Sequence, residues 1–316
     1  MRNILILFLL VETRSSEIIG DEDVIIVEDY DDWSDANVTI SSLCLVEKLL
    51  ETKEAKYLVN CANRNITDTR DIKLNNSNVS SILNLSRNLL TRIPDLNSST
   101  IVDLDCSYNS IALDNPGGLR QLLPSLSRLD LSHNKIGNIS VSSFRPLNDS
   151  LVDIPPLANL DLSFNDLTFL PEFLFESLEN LERLDLSSNP SLGELRAATT
   201  AALSSLKSLK TLRLRGCGLS IVPASLMSNL GNLQTLDISD NYFHRVDPSL
   251  GYALRLETLV LDNNLIDILD HSSFQGMKGL KNLSLREAFK MRGFNITIAD
   301  IDVLIIILHH YSIKLA

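Results

Sequence analysis

Eleven residues in the first half of the chain decide the fold: Leu126-Ser-Arg-Leu129-Asp-Leu131-Ser-His-Asn134-Lys-Ile136. Their pattern, L-x-x-L-x-L-x-x-N-x-L with other aliphatic residues allowed, returns at residues 157–167 and 233–243. Six further copies are centred on Asn88, Asn109, Asn189, Cys217, Asn264 and, in degenerate form, Ala288. Successive centres are 21 to 31 residues apart. Self-similarity at such a period is typical of a solenoid, in which one structural unit is stacked many times.

Each copy also has a direct physical interpretation. The L-x-L segment predicts a short strand whose leucines point inward while the residues between them point outward. One such strand cannot bury its apolar edge alone, so neighbouring copies must stack in parallel and join their leucines into one core. We expect the repeated Asn to be structural, because its side-chain amide can satisfy backbone groups where the strand turns away.

Across roughly residues 57–288 the pattern resembles the leucine-rich repeat family. The resemblance implies an α/β solenoid, a horseshoe with a parallel concave β-sheet and with short helices or turns on the convex side. Connector segments between the strands carry the side chains expected to fill the convex side: Phe144, Phe173, Phe175, Leu226, Leu230 and Phe274. Two longer connectors predict a looped excursion over residues 137–156 and an extra helical turn over residues 190–208.

The first residues of the chain have the residue pattern of a signal peptide. Arg2 precedes eight apolar residues, too few for the ~20 of a membrane helix, and we expect residues 1–16 to be the signal. A buried first strand is the alternative. Residues 17–35 hold nine acidic residues and no Lys or Arg, so most of the formal charge of −12 lies in a predicted acidic, flexible leader, residues 17–40. The leader is either solvated or engages a basic partner, with Tyr30 and Trp33 as apolar anchors.

Sequons for N-glycosylation are unusually frequent. Ten occur, where chance would supply about four. They lie at Asn37, Asn65, Asn75, Asn78, Asn84, Asn97, Asn138, Asn148, Asn282 and Asn295. Together with the signal, they predict a secreted glycoprotein or one on the extracellular face of the cell surface. The acidic composition argues against nucleic acid as a partner.

Both ends of a solenoid need a cap. In residues 41–73, predicted to form an N-terminal cap and the first strand, Cys61-Ala-Asn-Arg-Asn-Ile66 resembles the closing half of the family's cysteine cap and implies a Cys44–Cys61 disulfide. Cys106 and Cys217 are most simply core thiols. After repeats over residues 74–288, residues 289–316 form an atypical edge or tail, either an improvised edge strand or the end of a truncated longer receptor. Their apolar run is too short for a transmembrane helix.

Catalytic motifs are absent from the sequence. It contains no G-x-S-x-G, H-E-x-x-H, P-loop or Gly-rich dinucleotide turn, and its five histidines show no metal-ligand spacing. We therefore expect no enzyme activity, no cofactor and no metal. A rigid curved sheet instead offers a grid of outward side chains that lose little entropy when another protein binds.

The outward positions predict where a partner would bind. Three positions per strand are predicted to point outward, and the Leu-Asp-Leu-Ser string fills the last two with Asp and Ser, so much of the grid is generic. Its Asp column is expected to be scaffold, with Arg128 and Arg183 neutralising part of the charge.

Departures from the string are more informative. Arg213 and Arg215 replace Asp and Ser, which is expected to bring them beside Asp185 and Asp237. Tyr108, His133 and Phe164 form an aromatic strip that either binds a partner or packs on connectors. No sequon lies between Asn148 and Asn282. The predicted partner-binding residues are Arg183, Arg213, Arg215, Asp237, Asp262, Tyr108, His133 and Phe164.

The sequence thus predicts an extracellular protein-recognition module, similar to the ectodomains of Toll-type, adhesion and matrix leucine-rich repeat proteins, that binds a protein ligand or coreceptor through its concave face. Two alternatives stay open. One is a structural or adhesion glycoprotein that acts by lateral self-association as a homo-oligomer. The other is an intracellular repeat scaffold that regulates an enzyme.

Overall fold

The computed structural model describes residues 44–50, 55–68, 81–96, 100–114, 116–147, 154–267 and 273–289. Over these residues, eleven strands form one sheet in sequence order. The first two strands are antiparallel, and every later strand pairs in parallel with the one before it. This is the expected leucine-rich repeat solenoid. The signal peptide, the acidic leader and most of the C-terminal tail lie outside the described residues.

The strands are short because each repeat contributes only its L-x-L segment. Their bounds are β1 Leu45–Leu50, β2 Ala55–Asn60, β3 Ser81–Asn84, β4 Ile101–Asp105, β5 Arg128–Asp130, β6 Asn159–Asp161, β7 Arg183–Asp185, β8 Thr211–Arg213, β9 Thr235–Asp237, β10 Thr258–Val260 and β11 Asn282–Ser284. From β4 onward the central leucines pair in register, Leu104 with Leu129 and so on to Leu283, and all of them are buried. The predicted leucine core is therefore confirmed.

The repeated asparagines hold neighbouring repeats together. Asn134, for example, accepts a hydrogen bond on Oδ1 from the Ile111 N–H (2.9 Å) and donates from Nδ2 to the carbonyls of Cys106 (3.0 Å) and Leu131 (3.1 Å). Ile111 and Cys106 belong to the preceding repeat. The other members of this buried or half-buried column, which bond in the same way, are Asn88, Asn109, Asn165, Asn189, Asn241 and Asn264. The structural role expected for the Asn is thus observed.

Cys217 occupies the Asn position in one repeat, and its buried Sγ lies 3.1 Å from the Leu186 carbonyl oxygen. In the preceding repeat, Asn189 is followed by a 3₁₀ turn over Pro190–Leu192, in which the Leu192 N–H donates to the Asn189 carbonyl (3.0 Å). Burial raises the pKa of the Cys217 thiol to about 12. Cys217 and the equally buried Cys106 are core thiols, as expected.

The connectors carry short helices: α1 Gly117–Leu122, α2 Ala197–Ser204 and α3 Ala224–Asn229, with 3₁₀ turns at Val141–Phe144, Pro190–Leu192 and Pro248–Tyr252. The helix expected within residues 190–208 is α2. Phe144 and Phe175 fill the core, with ring centroids 5.7 Å apart. Phe173 is 53% exposed, so the prediction that it fills the convex side was wrong. It follows Glu172 in a tight turn, and the turn directs the next two residues, Leu174 and Phe175, inward instead.

The first strand pair caps the start of the solenoid. Strand β1 lies antiparallel to β2 in register from Leu45 opposite Asn60 to Leu50 opposite Ala55. A disulfide joins Cys44 to Cys61, with a Cα–Cα distance of 4.4 Å, and confirms the pairing that the family resemblance implied. Cys61 is buried in the same core as the leucines, so the cap is continuous with the repeats.

Candidate protein-binding face

The outer face of the sheet presents two columns of side chains in strict register. The column at the strand starts runs Asp103, Arg128, Asn159, Arg183, Thr211, Thr235, Thr258 and Asn282. The column at the strand ends runs Asp105, Asp130, Asp161, Asp185, Arg213, Asp237, Val260 and Ser284. Strand after strand, these positions alternate with buried leucines. The sheet thus holds a fixed grid of polar side chains on its concave side.

The third grid position does not face outward where it is serine. Ser107, Ser132, Ser163, Ser187 and Ser239 are all buried. In each case the serine N–H donates to Oδ1 of the aspartate two residues earlier, as from Ser107 to Asp105 (2.8 Å). Asn84 makes the same bond to the N–H of Ser86 (2.9 Å). The Asp column therefore has a scaffold role, as expected, and this role requires a side-chain oxygen but no charge.

Four of these aspartates form an unbroken acidic column: Asp105, Asp130, Asp161 and Asp185, on adjacent strands. Burial, followed by the neighbouring carboxylates of Asp130 and Asp185, raises the pKa of Asp161 to about 7. Burial, followed by the charge of Asp130, also raises the pKa of Asp105. Like charges at strand spacing repel one another, so the ionised column costs stability at neutral pH.

We expect the substitution Asp161→Asn to stabilise the protein by on the order of 2 kcal/mol at about pH 8. The pKa of Asp161 is higher in the folded state than in the unfolded chain, so this carboxyl costs stability in full above about pH 7, and the cost declines gradually as the pH falls from about 7 toward the ordinary aspartate pKa of about 4. Urea unfolding followed by circular dichroism would measure the difference. The advantage should shrink toward about pH 5, and an equal advantage at both pH values would contradict the repulsion.

Two arginines of the face, Arg213 and Arg215, form ion pairs with aspartates. Nη1 of Arg213 lies 3.7 Å from Oδ2 of Asp185, as expected from their register. Arg215 was expected beside Asp237 but is ion-paired with Asp240, while Oδ1 of Asp237 accepts bonds from the N–H (3.0 Å) and hydroxyl (2.6 Å) of Ser239. Both arginine side chains stay accessible, at 43% and 58% exposure.

Two other arginines were expected to neutralise the acidic column and do so less than predicted. Arg128 pairs with Asp103 (3.9 Å) in the column at the strand starts, and Nη1 of Arg183 donates to Oδ1 of Asn159 (3.4 Å). Over the described residues, Asp130 and Asp161 form no ion pair. The middle of the acidic column therefore keeps its negative potential.

The carboxylate of Asp262, another predicted binding residue, forms a hydrogen bond within the solenoid. Its Oδ1 accepts a hydrogen bond from the Arg286 N–H (2.8 Å) and so ties one repeat to the next. Asp237 is likewise bonded to Ser239. Each side chain remains half-buried, so its second oxygen lies at the edge of the face.

A further column, at the carboxyl edge of the sheet, consists of residues with left-handed backbone. Each stands directly before the repeat Asn or its substitute: Arg87, Tyr108, His133, Phe164, Ser188, Gly216, Asp240, Asn263 and Glu287, with φ from 50° to 63°. From Arg87 to Asn263, their N–H groups donate across to the next repeat, as from Tyr108 to the Ser132 carbonyl (3.0 Å). The bond holds bulky residues in a conformation that costs them roughly 1–2 kcal/mol. Their side chains are thereby set in a row.

Within this row, Tyr108, His133 and Phe164 stack ring on ring, and we call them the aromatic ladder. Centroid distances are 3.9 Å and 4.0 Å, with interplanar angles of 10° and 12°. The guanidinium of Arg87 lies over the Tyr108 ring, 4.6 Å from its centroid. Arg87 was not predicted as part of the strip, although its position before Asn88 matches the other three. Phe164 is 43% exposed, so the ladder contributes apolar surface to the face.

Four of the ten sequons fall on described residues. Asn65, Asn138 and Asn282 are exposed, whereas Asn84 is half-buried and bonded to Ser86. Asn282 lies on the face at its last strand, where Nδ2 donates to Oγ1 of Thr258 (3.2 Å). The other six, Asn37, Asn75, Asn78, Asn97, Asn148 and Asn295, lie outside the described residues.

Comparison with known proteins identifies the repeats. Profiles described as leucine rich repeat match residues 155–210, 125–147 and 232–253. These segments of the chain are leucine-rich repeats. Leucine-rich repeats and immunoglobulin-like domains protein 3 of Homo sapiens is 33% identical over 198 residues, 57% of this chain and 17% of the relative. Tsukushi of Gallus gallus is 32% identical over 195 residues, 58% of this chain and 48% of its own length. Trophoblast glycoprotein of Macaca fascicularis is 28% identical over 242 residues, which are 74% of this chain and 53% of the relative.

The chain spans about half the length of Tsukushi and of trophoblast glycoprotein, and less of the first relative. The crystal structure of human trophoblast glycoprotein has the same fold as this chain, with a TM-score of 0.55 and 21% identity over 87% of this chain and 88% of that one.

Over the described residues, no helix combines the length and apolar composition of a membrane span. Nor do these residues hold three or more His, Cys, Asp or Glu side chains placed to bind a metal ion.

Proposed function

We propose that the chain is an extracellular protein-recognition module that binds a protein ligand or coreceptor through its concave face, without chemistry. The observation that carries this proposal is the grid itself, because charged and aromatic side chains are held in register by hydrogen bonds to a rigid backbone. A preorganised surface loses little entropy when a partner binds. The disulfide, the exposed sequon at Asn138 and the likeness to a protein named trophoblast glycoprotein support an extracellular setting.

The central and later strands are the part of the face that we assign to this partner. Arg183, Arg213 and Arg215 are exposed there, with Asp237 and Asp262 beside them. Arginine is enriched among the residues that dominate binding energy at interfaces. A glycan at the exposed sequon Asn282 would cover the last strand, so the surface available to a partner would end before that strand.

We expect the double substitution Arg213→Glu and Arg215→Glu to weaken binding to a partner captured by cross-linking in extracellular fluid by about tenfold or more. Glutamates would lie next to Asp185 and Asp240 and could disturb the face, so Arg213→Gln with Arg215→Gln serves as the neutral pair. Surface plasmon resonance on the full chain measures the loss. Unchanged affinity in the neutral pair would refute this assignment.

A matched control is Arg145→Glu. Arg145 is also an exposed arginine in an ion pair, with Nη2 2.7 Å from Oε2 of Glu176, but it follows the 3₁₀ turn Val141–Phe144 in a connector. Its reversal should leave affinity within about twofold. Light scattering on the same samples tests the self-association alternative, since a mass that rises with concentration would favour it. A glycosidase-induced shift in mobility of secreted protein would contradict the intracellular alternative.

A further inference from the structure

The first half of the face, strands β4 to β7, differs in charge from the second half. Its acidic column presents four carboxylates on adjacent strands, and over the described residues only the last of them, Asp185, has an ion-pair partner, Arg213. From β8 onward, arginine, valine and serine interrupt the aspartates. The negative potential of the face is therefore concentrated on β4 to β7.

The aromatic ladder runs alongside this column. Each ring residue stands three positions after an aspartate, Tyr108 after Asp105 and Phe164 after Asp161, so carboxylates and rings form two parallel rows. The faces of aromatic rings attract cations. In this chain one end of the ladder already has such a partner, because the Arg87 guanidinium lies 4.6 Å from the centroid of the Tyr108 ring.

A third observation comes from the end of the acidic column. The hydroxyl of Ser187, two residues after Asp185, is buried and has no hydrogen-bond partner, although the residue itself is 6% exposed. At the equivalent position, the hydroxyl of Ser239 donates to Asp237 (2.6 Å). Buried hydroxyls normally find a partner. Because the Ser187 hydroxyl does not donate to Asp185, this carboxylate keeps an acceptor site for a ligand donor that the Ser239 hydroxyl occupies on Asp237.

The dimensions of the column specify the shape of the ligand. Neighbouring strands lie about 4.8 Å apart, so four carboxylates span about 14 Å. In an extended chain, alternate side chains point the same way at intervals of about 6.8 Å, so three of them also span about 14 Å. Three basic side chains at alternate positions would thus fit over four carboxylates and have the ring row beside them.

We propose that strands β4 to β7 bind an extended segment of a protein partner that carries Arg or Lys at three alternate positions. This deepens the proposed function, since it names the chemistry of the partner for one half of the same face. Carboxylates provide the charge complementarity, and the ladder provides ring faces for the aliphatic stems and cationic heads of the basic side chains.

The test uses two blocked peptides with the same composition, Arg-Ser-Arg-Ser-Arg and Arg-Arg-Arg-Ser-Ser, titrated calorimetrically into the full chain at about pH 8 and low salt. The alternating peptide should bind about fivefold tighter or better, because only its arginines match the column. Equal affinity for both peptides would overturn the proposal. Displacement of the peptide by Ca²⁺ at micromolar concentration would also overturn it, by showing a cation site instead.

Asp130→Asn together with Asp161→Asn removes the central charges and keeps the fold. Asn84 already shows that asparagine maintains the bond to the N–H two residues on. This variant should bind the alternating peptide about tenfold more weakly. The control, Asp114→Asn with Asp166→Asn, changes the net charge equally at two exposed positions outside the sheet and should bind like the unmodified chain.

The two proposals fail in distinguishable ways. If the peptide does not bind but the neutral Arg213 and Arg215 variant still loses the captured partner, the inference about β4 to β7 is overturned alone. If the peptide binds as expected and that arginine variant keeps the partner, the assignment to the later strands is overturned instead. Equal peptide affinity in the Asp130/Asp161 variant and in its control would refute the acidic column as the binding surface.

Discussion

Replacing Asn241 by alanine is expected to lower the free energy of unfolding by about 4 kcal/mol. The side chain is 3% exposed, and its Oδ1 accepts hydrogen bonds from the N–H groups of Cys217 (3.1 Å) and Leu219 (2.9 Å). Its Nδ2 donates to the Leu214 carbonyl (2.8 Å). Removing the amide leaves these three backbone groups buried without a partner, each at a cost of about 1–3 kcal/mol.

Two other bonds of Asn241 matter less. The carbonyl of Ile238 also accepts from Asn264 (3.1 Å), and that of Ser239 also accepts from the Gly216 N–H (3.0 Å), so both keep a partner in the variant. Urea unfolding monitored by circular dichroism on the full chain gives the loss directly.

Cys217→Ala is the matched control, one repeat away in the same column. Its Sγ lies 3.1 Å from the Leu186 carbonyl, which also accepts from Nδ2 of Asn189 (2.8 Å), so this carbonyl keeps a partner, and only the Asn189 N–H loses a bond, a weak one to sulfur. We expect a loss of about 1 kcal/mol, from the missing sulfur. Similar losses in the two variants would show that the asparagine bonds contribute little.

Gly118→Ala is expected to cost about 3 kcal/mol, through a clash with backbone that no side-chain rotation can relieve. Gly118 lies in α1, and a Cβ there would be 2.7 Å from the Ile93 carbonyl oxygen and 2.6 Å from that of Pro94. Helix α1 would have to move away from the preceding repeat. A thermal melt of the full chain should show a midpoint lower by several degrees.

Gly231→Ala provides the comparison for this change. A Cβ at Gly231 meets no atom within 4 Å, and the same substitution there should change stability by less than about 0.5 kcal/mol. A neutral Gly118→Ala variant would mean that α1 is not pressed against Ile93 and Pro94 as the structure shows.

Much of the candidate face could be predicted because the repeat fixes which residues alternate across a strand. Once Leu129 and Leu131 are inside, Asp130 lies on the other side of the sheet, and register with Asp105 and Asp161 follows from stacking equal repeats. Tyr108, His133 and Phe164 share a repeat position, so their proximity was predictable too. The serines were misjudged, because their N–H bonds to the preceding aspartates turn the chain inward.

Other features depend on groups that are distant in sequence. Arg215 pairs with Asp240, 25 residues later in the next repeat, and not with Asp237 as its strand position suggested. The rings of the ladder stack only because left-handed backbone, held by bonds to the next repeat, orients all three alike.

The amino-acid sequence alone therefore determined the leucine core, the asparagine column, the disulfide partners that the family resemblance implied and the residues of the face. These follow from local periodicity, in which each residue's burial depends on its position in its own repeat. Only the tertiary structure decided which charges pair, which polar groups are buried and how the rings meet. Those outcomes depend on contacts between neighbouring repeats, and no single repeat contains both partners of such a contact.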